Sequence, residues 1–225
     1  MPSGAAESAI RHWNETPLYV SEELRYSFYP WLPEAAEFRE HRGDRVLEVG
    51  CGTGCDLLQF ARNGANAIGI DITPAHIRLA QQRVEGLAQV CFGDATAIPF
   101  GNACFDYIYS QGVLHHLDDP RAMVAEILRV LRPGGRFNIQ VYALWSYVPI
   151  VLFLQHGRDW RRWIENSRVP VHLDLYTRPA LRRLFAPVDI RIQKYHCSYF
   201  QPLGRIWGWF LVVKGAKPAL PTSQR

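Results

Sequence analysis

The sequence predicts an α/β fold in which a mostly parallel sheet carries helices on both faces. Between Arg45 and Ala143, short apolar segments alternate with amphipathic segments of about ten residues, as in successive βαβ units. Polar residues, Asp71, Asp94 and Ser110, follow three of the apolar segments. Ligands of such sheets bind at the carboxyl ends of the strands, so these positions predict a ligand site at one edge of the sheet.

The first βα unit contains a glycine-rich turn. Residues 46–54 read VLEVGCGTG, so an apolar strand predicted over 45–49 breaks into three glycines at alternate positions before a helix predicted over 54–63. Glycine permits positive φ and lets the backbone approach a ligand closely. The turn therefore predicts a nucleotide-like ligand.

The following units repeat this pattern. Strands are predicted at 67–70, 89–92, 105–109 and 136–142, with helices at 74–84 and 121–132 between them. Thr73-Pro74 and Asp119-Pro120 each combine an N-cap residue with proline at the first helical position. Pro133-Gly134-Gly135 is expected to stop the second helix.

The flanks are expected to complete a single domain around this core of residues 45–143. Residues 1–44 are predicted to form a lid of helices and loops, and residues 218–225 a flexible tail. Within 144–217 we expect a substrate-cap segment, a helix that begins at Thr177, and two final strands near 189–195 and 207–214.

Bulk properties narrow the function classes. A net charge of +4 over 225 residues is too small to predict a nucleic-acid-binding protein. Residues 1–10 lack the cationic start and apolar centre of a signal peptide, and the apolar stretch 141–154 is too short to span a membrane. We therefore expect a cytoplasmic protein.

The spacing of the glycines separates two classes of ligand. Dinucleotide-binding turns read G-x-G-x-x-G, and their third glycine lies above a pyrophosphate. Here that place holds Cys55, while the third glycine is Gly54. The turn favours a ligand without a pyrophosphate, and a nicotinamide-dependent oxidoreductase remains the alternative from another class.

Five motifs in order resemble class I S-adenosylmethionine-dependent methyltransferases. They are LEVGCGTG at 47–54, GID at 69–71, GDA at 93–95, FDYI at 105–108 and LRVLRPGG at 128–135. The segment SQGVLHHL at 110–117 is similar to the small bacterial subgroup that carries GVLHH. The resemblance implies a Rossmann-like, seven-stranded sheet, mostly parallel with an antiparallel last strand. It also implies S-adenosylmethionine as cofactor and S-adenosylhomocysteine as product.

The resemblance also implies the residues that bind the cofactor. Asp71 would accept hydrogen bonds from both ribose hydroxyls, Asp94 and Ala95 would face the adenine, and Glu48 would order the methionine end. A carboxylate that only caps the following turn is the alternative for both aspartates. The full predicted set is Glu48, Gly50, Cys51, Gly52, Gly54, Asp71, Ile72, Asp94, Ala95, Ser110 and Gln111.

His116 and His115 are the candidate catalytic residues. Imidazole titrates near neutral pH and can remove a proton from an oxygen or nitrogen acceptor. Adjacent side chains point in different directions, so at most one should face the reaction, and a scaffold role is the alternative for both. No metal is predicted, since no further His, Cys or Asp set has ligand spacing.

Aromatic residues in both flanks are the candidate walls of a substrate pocket. They are Trp13, Tyr19, Tyr26, Tyr142, Trp145 and Tyr176. As a set they predict a small-molecule acceptor that is partly apolar or aromatic, and core or lid packing is their alternative. Residues 148–154, followed by three arginines, could instead touch a membrane and collect a lipid-like acceptor.

The predicted function is methyl transfer from S-adenosylmethionine to a small organic acceptor by in-line displacement. A quinone or lipid-intermediate methyltransferase is the nearest alternative, and a non-catalytic S-adenosylmethionine-binding module is another. Nucleic-acid acceptors are not expected, because residues 110–112 read SQG where nucleobase methyltransferases carry an Asn/Asp-Pro-Pro-aromatic motif. The methylated atom and the oligomeric state are not predicted.

Overall fold

The computed structural model describes residues 4–17, 19–165, 171–196 and 206–219, and a seven-stranded sheet organises this part of the chain. The strands are β1 (Arg45–Val49), β2 (Asn66–Asp71), β3 (Gln89–Phe92), β4 (Phe105–Gln111), β5 (Leu131–Tyr142), β6 (Ile190–Tyr195) and β7 (Phe210–Ala216). Their order is β3-β2-β1-β4-β5-β7-β6, and β7 runs antiparallel to both of its neighbours. The predicted mostly parallel sheet with an antiparallel last strand is confirmed.

Eight helices accompany the sheet in the described residues. They are α1 (Gly4–Glu15), α2 (Glu22–Phe28), α3 (Leu32–Ala35), α4 (Cys55–Arg62), α5 (Pro74–Val84), α6 (Pro120–Val130), α7 (Tyr147–His156) and α8 (Arg178–Leu184). Short 3-10 segments cover Leu114–His116 and Gly157–Trp163. No helix among these residues is long and apolar enough to cross a membrane.

Two apolar clusters cover the two faces of the sheet. Alternate strand residues point to opposite faces, so Leu47 and Val49 enter one cluster while Val46 enters the other. Both faces are buried, which explains why the strands read as continuous apolar runs.

The segment around α3 closes the face that contains Val46. Asn138 of β5 donates to the carbonyl of Ala35 at 2.6 Å, and the Tyr107 hydroxyl donates to the carbonyl of Ala36 at 3.0 Å. Trp31 and Leu32 are buried in the same cluster. The segment just before β1 is therefore part of the core and not only a lid.

The structure corrects the end of α6. The predicted helix runs to Arg132, but α6 ends at Val130, and Leu131 already pairs with Phe105 as the first residue of β5. The following PGG sequence lies inside β5 as a bulge, where the pairing with β4 shifts register between Leu131 and Arg136 and Gly134 has a φ of 77°. Gly134 donates its backbone N–H to the carbonyl of Lys217.

Other boundaries differ by a few residues. Strand β4 continues to Gln111, and β7 covers Phe210–Ala216 and not 207–214. Helix α7 lies in the cap segment, where no helix was predicted. Of the predicted N-caps, the Asp119 and Thr177 side chains accept backbone hydrogen bonds, whereas the Thr73 side chain caps nothing. Most of the predicted tail, 220–225, lies outside the described residues.

Candidate functional site

A cavity of about 600 Å³ lies at the carboxyl ends of the parallel strands. Asp94 follows β3, Asp71 ends β2, Gly50 follows β1, and Gln111 and Tyr142 end β4 and β5; all five line the cavity. Neighbouring strands are about 4.8 Å apart, so the line from Asp94 to Tyr142 crosses four spacings, roughly 19 Å. The cavity is long enough for two ligands side by side along the sheet edge.

The glycines of the turn at 50–54 serve different purposes. A Cβ added at Gly50 would come within 2.1 Å of Val113 Cγ2, and one at Gly54 within 3.1 Å of Ala80. At Gly52, in contrast, a Cβ would meet no atom within 4 Å. All three glycines have positive φ, between 52° and 78°. Only Gly52 leaves room for a ligand at the backbone, while Gly50 and Gly54 permit packing within the protein.

Asp71 connects the glycine turn to the start of α5. Its Oδ2 accepts the backbone N–H of Gly52 at 2.9 Å, and its Oδ1 accepts that of Thr73 at 2.8 Å. His76 Nδ1 lies 3.4 Å from Oδ1. Each carboxylate oxygen has a second lone pair, so Asp71 can hold both turns and still accept two hydroxyl hydrogen bonds. The capping alternative and the binding prediction are therefore compatible.

Asp94 stabilises its own turn in a similar way. Its Oδ1 accepts from the backbone N–H and the hydroxyl of Thr96, each at 2.8 Å. Asp94 and Ala95 both line the cavity at its β3 end.

Glu48 places a buried carboxyl group beside the glycine turn. Among the described residues, its Oε2 is buried without a hydrogen-bond partner. Burial is the main cause that raises the pKa of Glu48 well above its usual value, followed by the nearby charge of Asp56. A buried oxygen without a hydrogen-bond partner costs folding free energy. The Glu48 carboxyl group therefore fits a ligand that brings a cation or a hydrogen-bond donor.

Arg25 and Asp56 form a charged network that the sequence motifs did not predict. Arg25 Nε and Nη2 donate to the two oxygens of Asp56 at 2.7 and 2.6 Å, and Nη2 also donates to Gln111 Oε1 at 2.7 Å. The hydroxyls of Tyr26 and Tyr109 each donate to Asp56 at 2.9 Å. Arg25, Asp56 and Gln111 line the cavity. An aspartate within the apolar first turn of α4 was the available signal.

His116 lies in the cavity wall with a defined tautomer. A carbonyl oxygen only accepts, so the contact of 2.8 Å between His116 Nδ1 and the carbonyl of His172 makes Nδ1 the donor. In the neutral ring, Nε2 is then the acceptor, and it lies 3.8 Å from Glu165 Oε1. Burial lowers the pKa of His116 to about 4, partly opposed by the hydrogen bond to His172. His116 is therefore neutral near pH 7.

His115 and Glu165 complete this end of the site. His115 is fully buried, does not line the cavity, and stacks on Tyr142 with ring centroids 4.2 Å apart. Glu165 lines the cavity; burial raises its pKa, opposed by a hydrogen bond with Tyr142 and by His12. Ligand atoms of His115, His116 and Glu165 all lie within 4.8 Å of one another. The fold brings Glu165 to the two histidines from far along the chain, a grouping that ligand spacing in the sequence did not indicate. The absence of a metal stays a prediction.

The structure brings most of the predicted cofactor residues together. Those that line the cavity are Glu48, Gly50, Cys51, Gly52, Asp71, Ile72, Asp94, Ala95 and Gln111. Gly54 packs against α5 instead, and the Ser110 hydroxyl donates to the carbonyl of Val49 at 2.8 Å inside the sheet. The positions of Gly54 and Ser110 do not support direct contact with a ligand.

The predicted aromatic walls are only partly present. Trp13 and Tyr142 line the cavity. Tyr19 packs on an arginine of α5 at the surface, Tyr26 serves the network around Asp56, and Trp145 is 74% exposed. Tyr176 is buried in the core below α6 and α8. For Tyr19, Tyr26 and Tyr176 the structure favours the packing alternative, whereas Trp145 neither lines the cavity nor packs in the core.

Comparison with known proteins identifies the core of the chain. The family model described as a methyltransferase domain matches residues 47–139, which contain the glycine turn, Asp71, Asp94 and the adjacent pair His115 and His116. This core is a class I S-adenosylmethionine-dependent methyltransferase domain.

Curated relatives agree with that assignment. The chain is 40% identical over 104 residues to an O-methyltransferase of Aspergillus nomiae, covering 44% of this chain and 46% of that protein. It is 32% identical over 119 residues to a demethylmenaquinone methyltransferase of Clavibacter sepedonicus, covering 52% and 47%. The chain spans about half the length of the curated relatives it matches.

The fold extends beyond the matched core. An S-adenosylmethionine-dependent methyltransferase from Mesorhizobium loti superposes with a TM-score of 0.66 at 18% identity, over 83% of this chain and 97% of that one. At this identity the likeness concerns the fold alone. It includes the flanks of the methyltransferase domain as well as residues 47–139.

Proposed function

We propose that the protein transfers a methyl group from S-adenosylmethionine to a small organic acceptor. The observation that carries this proposal is that one cavity joins the glycine turn, Asp71 and Asp94 to His116 and aromatic side chains. Bound S-adenosylmethionine supplies a methyl group already activated on a sulfonium. The protein then has mainly to hold acceptor and methyl in line, since proximity and orientation supply much of the acceleration.

The cofactor end of the cavity fits a zwitterionic nucleoside. Asp71 offers two free lone pairs for ribose hydroxyls, and Gly52 leaves the backbone open beside them. Glu48, whose buried carboxyl group would ionise beside a bound cation, and Arg25 both line this end of the cavity. We assign Glu48 to the methionine ammonium and the Arg25–Gln111 pair to its carboxylate side.

The acceptor end favours an oxygen nucleophile. Because Nδ1 of His116 is fixed as a donor, its Nε2 can accept the proton of a hydroxyl as the new bond to carbon forms. Glu165, 3.8 Å from Nε2, would then stabilise the imidazolium. The relative named as an O-methyltransferase supports this choice. Trp13 and Tyr142 would hold the apolar part of the acceptor.

We propose that the reaction needs no metal. In-line attack on a sulfonium does not require a Lewis acid, and the tautomer of His116 suits proton transfer equally well. The cluster of His115, His116 and Glu165 is the place where a metal would bind if this proposal is wrong.

A quinone or lipid intermediate is the second candidate acceptor. A relative is named demethylmenaquinone methyltransferase, and another is named for phthiotriol dimycocerosates. One structural observation favours such an acceptor. Helix α7 exposes apolar side chains, and it lies close in the chain to Glu165, which lines the cavity.

We further propose a cytoplasmic location and a biosynthetic role, with no nucleic-acid partner. The four cysteines of the described residues are all free thiols, as is usual in reducing compartments.

Two measurements test the proposed function. Calorimetric titration should give binding of S-adenosylmethionine and none of NAD; the reverse would return the protein to the oxidoreductase class. A screen of phenolic, hydroxylated and quinone acceptors should then release S-adenosylhomocysteine with at least one class. The protein could also bind S-adenosylmethionine tightly but neither bind nor methylate any acceptor. That result would indicate a non-catalytic S-adenosylmethionine-binding module.

A further inference from the structure

Exposed apolar side chains are concentrated on one part of the surface. Eight of the thirteen exposed large hydrophobic side chains among the described residues lie in two short segments. We call them the apolar cap face: Trp145, Ile150, Val151, Phe153, Leu154, Trp163, Ile206 and Trp207. Leu154 is 78% exposed, and α7 buries a single residue, Pro149.

Specific contacts hold the two segments of the apolar cap face together. Lys194 of β6 donates its ammonium group to the backbone carbonyls of both Trp145 and Ile206. At the other end, His156 stacks on Trp163 with ring centroids 4.1 Å apart. The two segments therefore lie next to each other, and the 3-10 segment folds back on the end of α7.

The charges beside this face are mostly positive. The 3-10 segment after α7 carries Arg158, Arg161 and Arg162 against a single acidic residue, Asp159. The three arginines are exposed. A hydrophobic face with arginines at one border matches the interface of an anionic bilayer, where the apolar side chains enter the acyl region and the guanidinium groups meet phosphate.

We propose that the apolar cap face docks this protein on an anionic lipid surface. Helix α7 has ten residues, about 15 Å, and is too short to cross a bilayer of about 30 Å, so it lies in the interface. A second copy of the chain is the alternative occupant, and the arginines at the border of the face are the observation that favours an anionic lipid surface over it. Glu165 follows the apolar cap face directly and lines the cavity, so docking would place the acceptor end near the lipid.

Flotation with vesicles tests the proposal on the full chain. We expect the protein to float with vesicles of phosphatidylcholine that contain about a third phosphatidylglycerol, and much less with phosphatidylcholine alone. Binding to the anionic vesicles should fall with added salt, because exposed charges are screened. The assay needs neither cofactor nor turnover, so its result is independent of the proposed methyl transfer.

Surface variants separate the two parts of the interaction. Phe153→Glu with Leu154→Glu, and separately Arg161→Glu with Arg162→Glu, should each weaken binding to anionic vesicles at least about tenfold. Leu87→Glu, at an exposed leucine remote from the face, is the matched control and should bind like the wild type. Circular dichroism checks that each variant is folded.

Three outcomes overturn the proposal. One is no flotation with anionic vesicles. Another is equal binding to both kinds of vesicle with no effect of the arginine variants. The third is a protein that does not bind vesicles but self-associates, as measured by size-exclusion chromatography with light scattering. If Phe153→Glu abolishes that self-association, the apolar cap face would be assigned to a second copy of the chain.

Discussion

Arg25 and Asp56 form a two-point ion pair that joins α2 to the first turn of α4, with N–O distances of 2.7 and 2.6 Å. The Asp56 side chain is almost completely buried, and the guanidinium also holds Gln111 at the end of β4. The N-terminal flank is thereby connected to the cofactor end of the cavity through charge as well as packing.

Loss of this pair should destabilise the protein. Arg25→Ala leaves Asp56 as a buried carboxylate with only two tyrosine hydroxyls, so we expect a loss of about 3 kcal/mol in the free energy of unfolding. The unfolding free energy of Arg25→Lys should lie between those of the wild type and Arg25→Ala, because an ammonium group cannot donate in the same two-point geometry. Urea denaturation measures both.

Arg62→Ala is the matched control on the same pair of helices. Arg62 joins Glu22 of α2 at 2.8 Å, but this pair is partly exposed, and its loss should cost about 0–1 kcal/mol. If Arg25→Ala and Arg62→Ala lower the free energy of unfolding equally, burial does not set the strength of the ion pair between Arg25 and Asp56.

Asp71→Asn should weaken S-adenosylmethionine binding by about 1.5–3 kcal/mol, because charge-assisted hydrogen bonds to the ribose would be lost while one acceptor oxygen remains for the backbone. Isothermal titration calorimetry measures the change. Asp106→Asn is the control: Asp106 also accepts a backbone N–H, from Arg45 at 2.6 Å, but at the opposite edge of the sheet. Unchanged affinity in Asp71→Asn would remove Asp71 from the cofactor site.

Gly50→Ala should destabilise the fold by about 2–5 kcal/mol, since it adds left-handed strain and a clash with Val113. Gly52→Ala, which meets open space, should cost only the strain, about 1–2 kcal/mol. Adding Val113→Ala to Gly50→Ala removes the clashing methyl and should recover part of the loss. A double-mutant cycle with no coupling energy would contradict this account.

The buried His116 should make stability depend on pH. Its folded pKa of about 4 lies below the ordinary 6.5, so the unfolded chain binds more protons between these values. The contribution of neutral His116 to the free energy of unfolding is complete above about pH 6.5. It is lost as the pH falls towards 4, which lowers that free energy by about 3 kcal/mol. The free energies of unfolding of the wild type and of His116→Gln can be measured from pH 8 to 4. Between pH 6.5 and 4, the wild-type value should fall more steeply with decreasing pH than that of His116→Gln. Parallel curves would show that His116 is not buried neutral.

Removal of metals should leave activity unchanged. After dialysis against a chelator, the initial rate with any acceptor found in the screen should match that of the untreated enzyme, because the proposed chemistry uses His116 Nε2 as a proton acceptor. Activity that disappears and returns with Zn²⁺ or Mn²⁺, but not in Glu165→Gln, would assign a metal to the cluster of His115, His116 and Glu165.

The sequence predicts the part of the site that comes from local patterns. The glycine turn, Asp71 and Asp94 each follow a strand directly, so strand order alone brings them to one edge. Arg25 and Glu165 come from the flanks, where neither periodicity nor a motif indicates which way a side chain faces. Their positions depend on long-range packing, which local patterns do not encode.

The aromatic residues show the same limit. Composition predicts that a tryptophan packs or binds, but not which, and Trp13 lines the cavity while Trp145 faces solvent. Likewise, the PGG sequence after α6 is typical of a turn, yet backbone hydrogen bonds with Lys217 hold it as a bulge within β5.

The double acceptance by Asp71 has a kinetic consequence. Because its oxygens already tie the backbone at Gly52 to that at Thr73, both turns are ordered before a nucleoside arrives, and little conformational entropy remains to be lost on association. Stopped-flow traces of S-adenosylmethionine binding should therefore show one concentration-dependent phase without a slower rearrangement at this end.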